Sequence, residues 1–179
     1  ILQLYMFSRI YGVDINNRWK VNEHDYTITT PCGLKFSLEG FDALIFAETF
    51  LYDSHFVDFD LTGKIVIHAG AYVGETALYY AKKGAIVYAF EPNPDCYRIA
   101  SLNLKLNPEL AKNIVLKNYA IGKDGYVEFP NIKCNGAASV YSNIKDKIKV
   151  RSVSISTILK EFKINNPDIL DIDIKGEEF

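Results

Sequence analysis

The sequence predicts an α/β fold in which a mostly parallel sheet is layered with helices, and three observations predict it. Two short apolar runs, KIVIHAG from Lys64 and AIVYAF from Ala85, are rich in β-branched residues and show no alternation, as strands buried on both faces do. Each is followed by a helical pattern rather than a hairpin turn. The alternation then continues to DILDIDI, residues 168–174, and strands joined in this way require right-handed crossovers.

Taken in order, residues 1–60 read as an N-terminal extension and residues 61–179 as the α/β domain. YTITTPCGLKFSL forms a hairpin, with Leu34, Phe36 and Leu38 alternating with Lys35 and Ser37 and with Pro31 to Gly33 as the turn. FDALIFAETFLY is a helix in which Phe41, Leu44, Ile45 and Leu51 share a face. After the first parallel strand, TALYYAKK is a helix with Lys82 and Lys83 in its last turn and Gly84 as the C′ residue. Tyr79 and Tyr80 on it are expected to pack in the core. Asn93 caps the next helix, with Pro94 at its first position and Asp95 in its first turn. Its apolar stripe is Ile99, Leu102 and Leu106, extended by Cys96, and Asn103 interrupts the edge. NIVLKNYAIG is a third strand, and Asp124-Gly125 turns it into a hairpin mate, YVEF. A polar loop over Asn135 to Ser142 leads to the strand KIKVRSVS. Ser156 then caps TILKEF, and DILDIDI is the next buried strand.

The 179 residues are 49% hydrophobic and 23% charged, with a net charge of −2. That balance lacks the broad basic footprint of a general nucleic-acid binder. Cys32, Cys96 and Cys134 are odd in number and show no C-x-x-C spacing, so they read as reduced thiols without a zinc site. No stretch approaches the roughly 20 apolar residues of a membrane span. A soluble, cytoplasmic chain is the expectation. Because it opens on Ile1 and stops at Phe179 just after a strand-like run, a longer protein with further C-terminal strands is expected.

Ligands of such folds bind beyond the C-terminal strand ends. That rule selects the loop Gly70–Gly74, Glu91, the region from Asn118 to Ala120, and Asp173. Gly70 and Gly74 permit a sharp turn and close approach to a ligand, and the following helix offers free N–H groups. Tyr72 holds the middle position, so the spacing is not G-x-G-x-x-G, and no P-loop is present. Glu91 ends the second strand 17 residues after Gly74, where a carboxylate can accept two hydrogen bonds from ribose hydroxyls. Together these favour an adenosine-containing ligand without separating NAD from S-adenosylmethionine.

The strings VIHAGAYVGETALYYAKKGAIVYAFEPNPDCYRIASLNLKLN, NYAIG and DILDIDIKGEEF resemble the FkbM family of S-adenosylmethionine-dependent methyltransferases over about residues 60–179. The resemblance implies a Rossmann-like methyltransferase fold and methylation of a hydroxyl on a sugar or natural product. It implies that Gly70, Ala71, Tyr72 and Gly74 line the methionine end of the cofactor. Glu91 would hold the ribose, Pro92 and Asn93 would shape its pocket, and Asn118, Tyr119 and Ala120 would flank the adenine. Asp173 and Glu178 fall on acidic positions of the later motif and are the candidate bases for the acceptor hydroxyl, Asp173 first.

Two positions depart from that pattern. His68 stands where the family usually carries an acid supporting the cofactor's amino group; a neutral imidazole accepts one hydrogen bond, whereas a charged one repels an ammonium. Lys175 replaces an acid before Gly176. Asp171, Asp173, Glu177 and Glu178 would attract a divalent ion, yet His24, His55 and His68 have no ligand spacing, so no metal is expected. Two rival functions remain. VYAFEPNPDCYRIASLNLKLN also resembles archaeal tRNA guanine methyltransferases, but DIDIKG stands where those carry N-P-P-x. A non-catalytic module that keeps the fold is the other.

Overall fold

The computed structural model describes residues 19–52, 55, 60–134 and 144–174. Its N-terminal part is a three-stranded antiparallel sheet of β1 (Lys20–Asn22), β2 (Thr27–Thr29) and β3 (Lys35–Ser37). The β2–β3 hairpin pairs Thr29 with Lys35 across the expected turn. Helix α1 (Ala43–Phe50) follows, with the Asp42 carboxylate accepting from the N–H groups of Leu44 and Ile45. Its buried face is not the expected one. Ala43, Phe46, Ala47 and Thr49 are buried and Leu44 is exposed, because Phe46 sits among the rings of Phe36, Phe41 and Phe50. That aromatic cluster fixes the helix rotation.

Strand β4 (Ile65–Ala69), helix α2 (Glu75–Lys82), strand β5 (Ile86–Phe90), helix α3 (Pro94–Leu106), the short helix α4 (Pro108–Ala111) and strand β6 (Ile114–Lys117) follow in the predicted alternation. Gly84, with φ of 96°, takes up the left-handed turn after α2. The Asn93 side chain accepts from the N–H groups of Asp95 and Cys96, capping α3. The inward stripe of α3 is Cys96, Ile99, Ala100 and Asn103, while Leu102 is exposed and Leu106 only half-buried. Asn103 is therefore at the centre of the buried face, where its amide donates to Val73 O (2.8 Å) and accepts from Ser37 N (2.8 Å).

The third strand divides. After Lys117, the Asn118 amide donates to the carbonyls of Glu91 and Pro92 (2.8 and 3.0 Å) and the chain leaves the sheet. It re-forms as β7 (Ala120–Ile121) in a second sheet with β8 (Gly125–Pro130) and β9 (Lys147–Val153), in order β7-β9-β8. The YVEF segment pairs antiparallel with β9, not with the strand before it. Helix α5 (Ile155–Glu161) is capped by Ser154 rather than Ser156, through a hydrogen bond from Thr157 N. Strand β10 (Ile169–Ile172) completes a parallel sheet of order β10-β4-β5-β6. Among the described residues β10 is an edge strand, only partly covered, and Leu170 is exposed. The expectation of a fully buried strand is corrected.

One core cluster joins Phe36 and Phe46 of the N-terminal elements to Val66, Leu78, Val87 and Ile99 of the α/β layers. A second, around Ile67, Phe90, Val153 and Ile158, fills the opposite side of the parallel sheet. Cys96 and Cys134 form a disulfide and Cys32 is free and exposed, correcting the expectation of three thiols. Folding brings the pair together across 38 residues. The thiol argument for a cytoplasmic location falls with it. Among the described residues no helix is long and apolar enough to cross a membrane.

Candidate functional site

The loop after β4 is built by its backbone. The N–H groups of Gly70 and Ala71 both donate to Phe90 O (2.9 Å each), tying the loop to the end of β5. Gly70 has φ of 91°, and a Cβ there would lie 2.0 Å from Asp173 O, so the close approach of the chain after β10 demands glycine. Gly74, with φ of 81°, is the N-cap residue of α2. Between them Tyr72 adopts φ of 47°, a left-handed conformation costly for a side chain with Cβ. Two bonds hold it there: Tyr72 N donates to Glu91 Oε2 (2.7 Å), and its hydroxyl donates to Gly40 O (2.9 Å).

Glu91 closes the ring of contacts. Its other oxygen, Oε1, accepts from Asn93 N (2.8 Å), so one buried carboxylate joins the glycine loop to the start of α3. Burial pushes this carboxyl up to about 7, although the bonds from Asn93 and Tyr72 pull it down. Each oxygen of a carboxylate accepts a second bond, so acceptor capacity remains.

The strand ends bring Gly70, Tyr72, Gly74, Glu91, Pro92, Asn93, Asn118 and Asp173 to one end of the parallel sheet. Asp173 N donates to Ala69 O (2.9 Å), and the residue is exposed beside Gly70. Other expected residues are placed differently. The Ala71 side chain is buried in the core and leaves only its backbone at the loop. Tyr119 stacks on Phe90 (6.2 Å between centroids), with the Arg151 guanidinium 4.4 Å from its ring centroid. Ala120 packs with Phe129 and Val150 of the second sheet. Glu178, Lys175 and Glu177 lie outside the described residues.

His68 belongs to a buried polar group beneath α2. It is in register with Asp171 of β10, and Nδ1 lies 3.1 Å from Asp171 Oδ2. That separation makes an ion pair, but neither ring nitrogen has an aligned hydrogen-bond partner among the described residues. The same Asp171 oxygen accepts from the Tyr80 hydroxyl (2.9 Å) and lies 3.8 Å from His55 Nδ1. Burial alone would lower the His68 pKa, yet Asp171, Glu75 and Asp173 together outweigh it and hold the ring above its ordinary value. Burial likewise opposes ionisation of Asp171, but His68, Tyr80 and His55 keep it below the usual carboxylate range.

Glu75, the first residue of α2, was missed by the sequence reading. It is only 3% exposed. Thr76 Oγ1 donates to its Oε1 (3.2 Å), whereas Oε2 has no partner among the described residues. Burial pushes this carboxyl up to about 7. Its signal was present: an acid at N1 suits the helix dipole, but nothing local says that the side chain turns inward.

A family model described as Methyltransferase FkbM domain matches residues 68–179. No curated protein and no solved structure gives a significant match.

Proposed function

The chain belongs to the FkbM methyltransferase domain family, and from that premise we propose an S-adenosylmethionine-dependent O-methyltransferase acting on a hydroxyl of a sugar or other small molecule. The observation that carries the reading is the ring of bonds linking Gly70, Tyr72, Glu91 and Asn93 at the C-terminal ends of β4 and β5. In this reading the sheet order, taken from β6 to β10, is the 3-2-1-4 part of a Rossmann-like arrangement. Residues 1–60 are an extension, and its described part packs on the α/β layers through Phe36, Phe46 and the bonds to Asn103 and Tyr72.

The residues fit such a cofactor in one respect: Glu75 and Glu91 give the site buried acids suited to a cationic ligand, and Glu91 keeps acceptor capacity beyond its two backbone bonds. When bound, S-adenosylmethionine supplies a methyl group already made electrophilic by its sulfonium. The loop backbone and Glu91 bind and orient, Asn118 borders the adenine side, and an acceptor oxygen needs chiefly alignment. Asp173, exposed beside Gly70, takes the hydroxyl proton, with Glu178 as second candidate.

Isothermal titration of the protein with S-adenosylhomocysteine and with NAD tests this. Heat with the first and none with the second is the expected outcome. Binding of NAD alone, or silence from both at millimolar ligand, rejects it.

A further inference from the structure

One buried acid beside the glycine loop is unsatisfied. Glu75 Oε2 has no hydrogen-bond partner among the described residues and the side chain is 3% exposed, whereas the neighbouring His68 has Asp171 Oδ2 3.1 Å from its Nδ1. A buried carboxylate oxygen left without a donor destabilises a fold. A ligand that supplies the donor is one explanation for keeping such a group. Here the missing component is a hydrogen-bond donor of positive charge.

The neighbours make the demand specific. Glu75 feels His68 from β4 and lies within electrostatic reach of Glu91 and Tyr72. Asp171 and Asp173, from β10 and the chain after it, also act on His68. His68 lies closest to Asp171, and one imidazole faces four acids, Glu75, Glu91, Asp171 and Asp173, so acids are in excess around the loop. A sulfonium would satisfy the charge but carries no N–H, so it leaves Oε2 without a donor. A primary ammonium satisfies both.

We propose that Glu75 is the anchor for the α-ammonium group of the cofactor's amino-acid end. The inference rests on the cofactor reading above. Glu75 opens α2 directly after Gly74, beside the loop that the cofactor reading assigns to the methionine end. The carboxyl must be ionised to accept, so binding releases its proton.

The test uses Glu75→Gln with two ligands, S-adenosylhomocysteine and 5′-methylthioadenosine, which lacks the amino-acid end. Glu75→Gln should weaken S-adenosylhomocysteine about tenfold to a hundredfold, the loss of one charged hydrogen bond. Methylthioadenosine should bind the variant within about twofold of wild type. The apo variant should melt no lower than wild type, because a buried carboxyl whose charged form is disfavoured has been replaced by a neutral isostere. Glu75→Asp should recover part of the lost affinity. Equal losses for both ligands, no loss for either, or a lowered melting temperature would assign Glu75 a structural role and overturn the proposal. If wild type binds neither ligand, the cofactor reading itself fails, which is a separate result.

Discussion

The two faces of β4 contrast within five residues. Ile65, Ile67 and Ala69 point to one side, where Phe90, Ile121, Val153, Ile158 and Ile164 form an apolar layer. Val66 and His68 point to the other, where α2 covers His68, Glu75, Tyr80 and Asp171. Successive side chains on a strand alternate sides, so a single residue step separates the dry layer from the ionisable one. Burying unpaired polar groups costs free energy. The apolar face offsets that cost and lets the opposite face stay poised for a ligand.

The strongest challenge to this division is Ile158→Ala. Ile158 is 1% exposed on the dry side, and truncation of a buried isoleucine costs about 2–5 kcal/mol. The urea midpoint should fall accordingly, while S-adenosylhomocysteine affinity, measured where the variant is still folded, should stay within about twofold. A proportionate loss of affinity would show that the two faces are not separable.

The polar face should announce itself through pH. Glu75 and Glu91 are carried from 4.5 to about 7 by burial, so between these values the folded chain holds more protons than the unfolded one. Stability therefore falls as pH rises from 5 to 8, by on the order of 3 kcal/mol for each carboxyl. His68 works in the same direction, since its raised folded pKa gives stability that is full at low pH and lost as pH climbs through it. Asp171 has the opposite sign, but its lowered pKa places that loss below the window. Urea midpoints taken between pH 5 and pH 8 check the slope, and Glu75→Gln should make it shallower by the Glu75 share. Ligand affinity should run the other way and rise with pH, because an ammonium needs the ionised carboxylate. A flat stability profile would mean that these acids are solvated.

What could be read from the sequence was what is fixed locally. Strands β4 and β5, the Asn93 cap, Gly84 and the glycine loop follow from runs of a few residues, and Glu91 from its place at a strand end. The rest depends on partners distant in the chain. Cys96 meets Cys134 only because the segment after β8 folds over the start of α3, with Cys134 N donating to Asp95 Oδ2 (3.0 Å). Asn103 looks like a fault in a stripe until Ser37 and Val73 arrive as its partners. Residues 120–121 continue an apolar run, yet the Asn118 bonds to Glu91 and Pro92 send them to another sheet. The aim of Glu75 into the interior is set by α2 packing, which no spacing encodes.

The smallest expected effect tests whether the N-terminal hairpin shapes the loop. Tyr72 alone among the loop's side-chain-bearing residues is left-handed, and its hydroxyl reaches Gly40 O in the segment after β3. Asn103 adds a second link, between Ser37 N and Val73 O. Tyr72→Phe removes one hydrogen bond and keeps the ring, so stability should drop by only about 1 kcal/mol. If the tether holds the loop in its binding shape, freedom gained by the empty protein must be given up on binding. S-adenosylhomocysteine affinity should then fall about fivefold, with methylthioadenosine falling equally because the whole loop is loosened. That equality separates it from Glu75→Gln, which discriminates between the two ligands. Unchanged affinity with the same loss of stability would make the hairpin a support of the core alone, and the strain at Tyr72 would then be held by Glu91 without help.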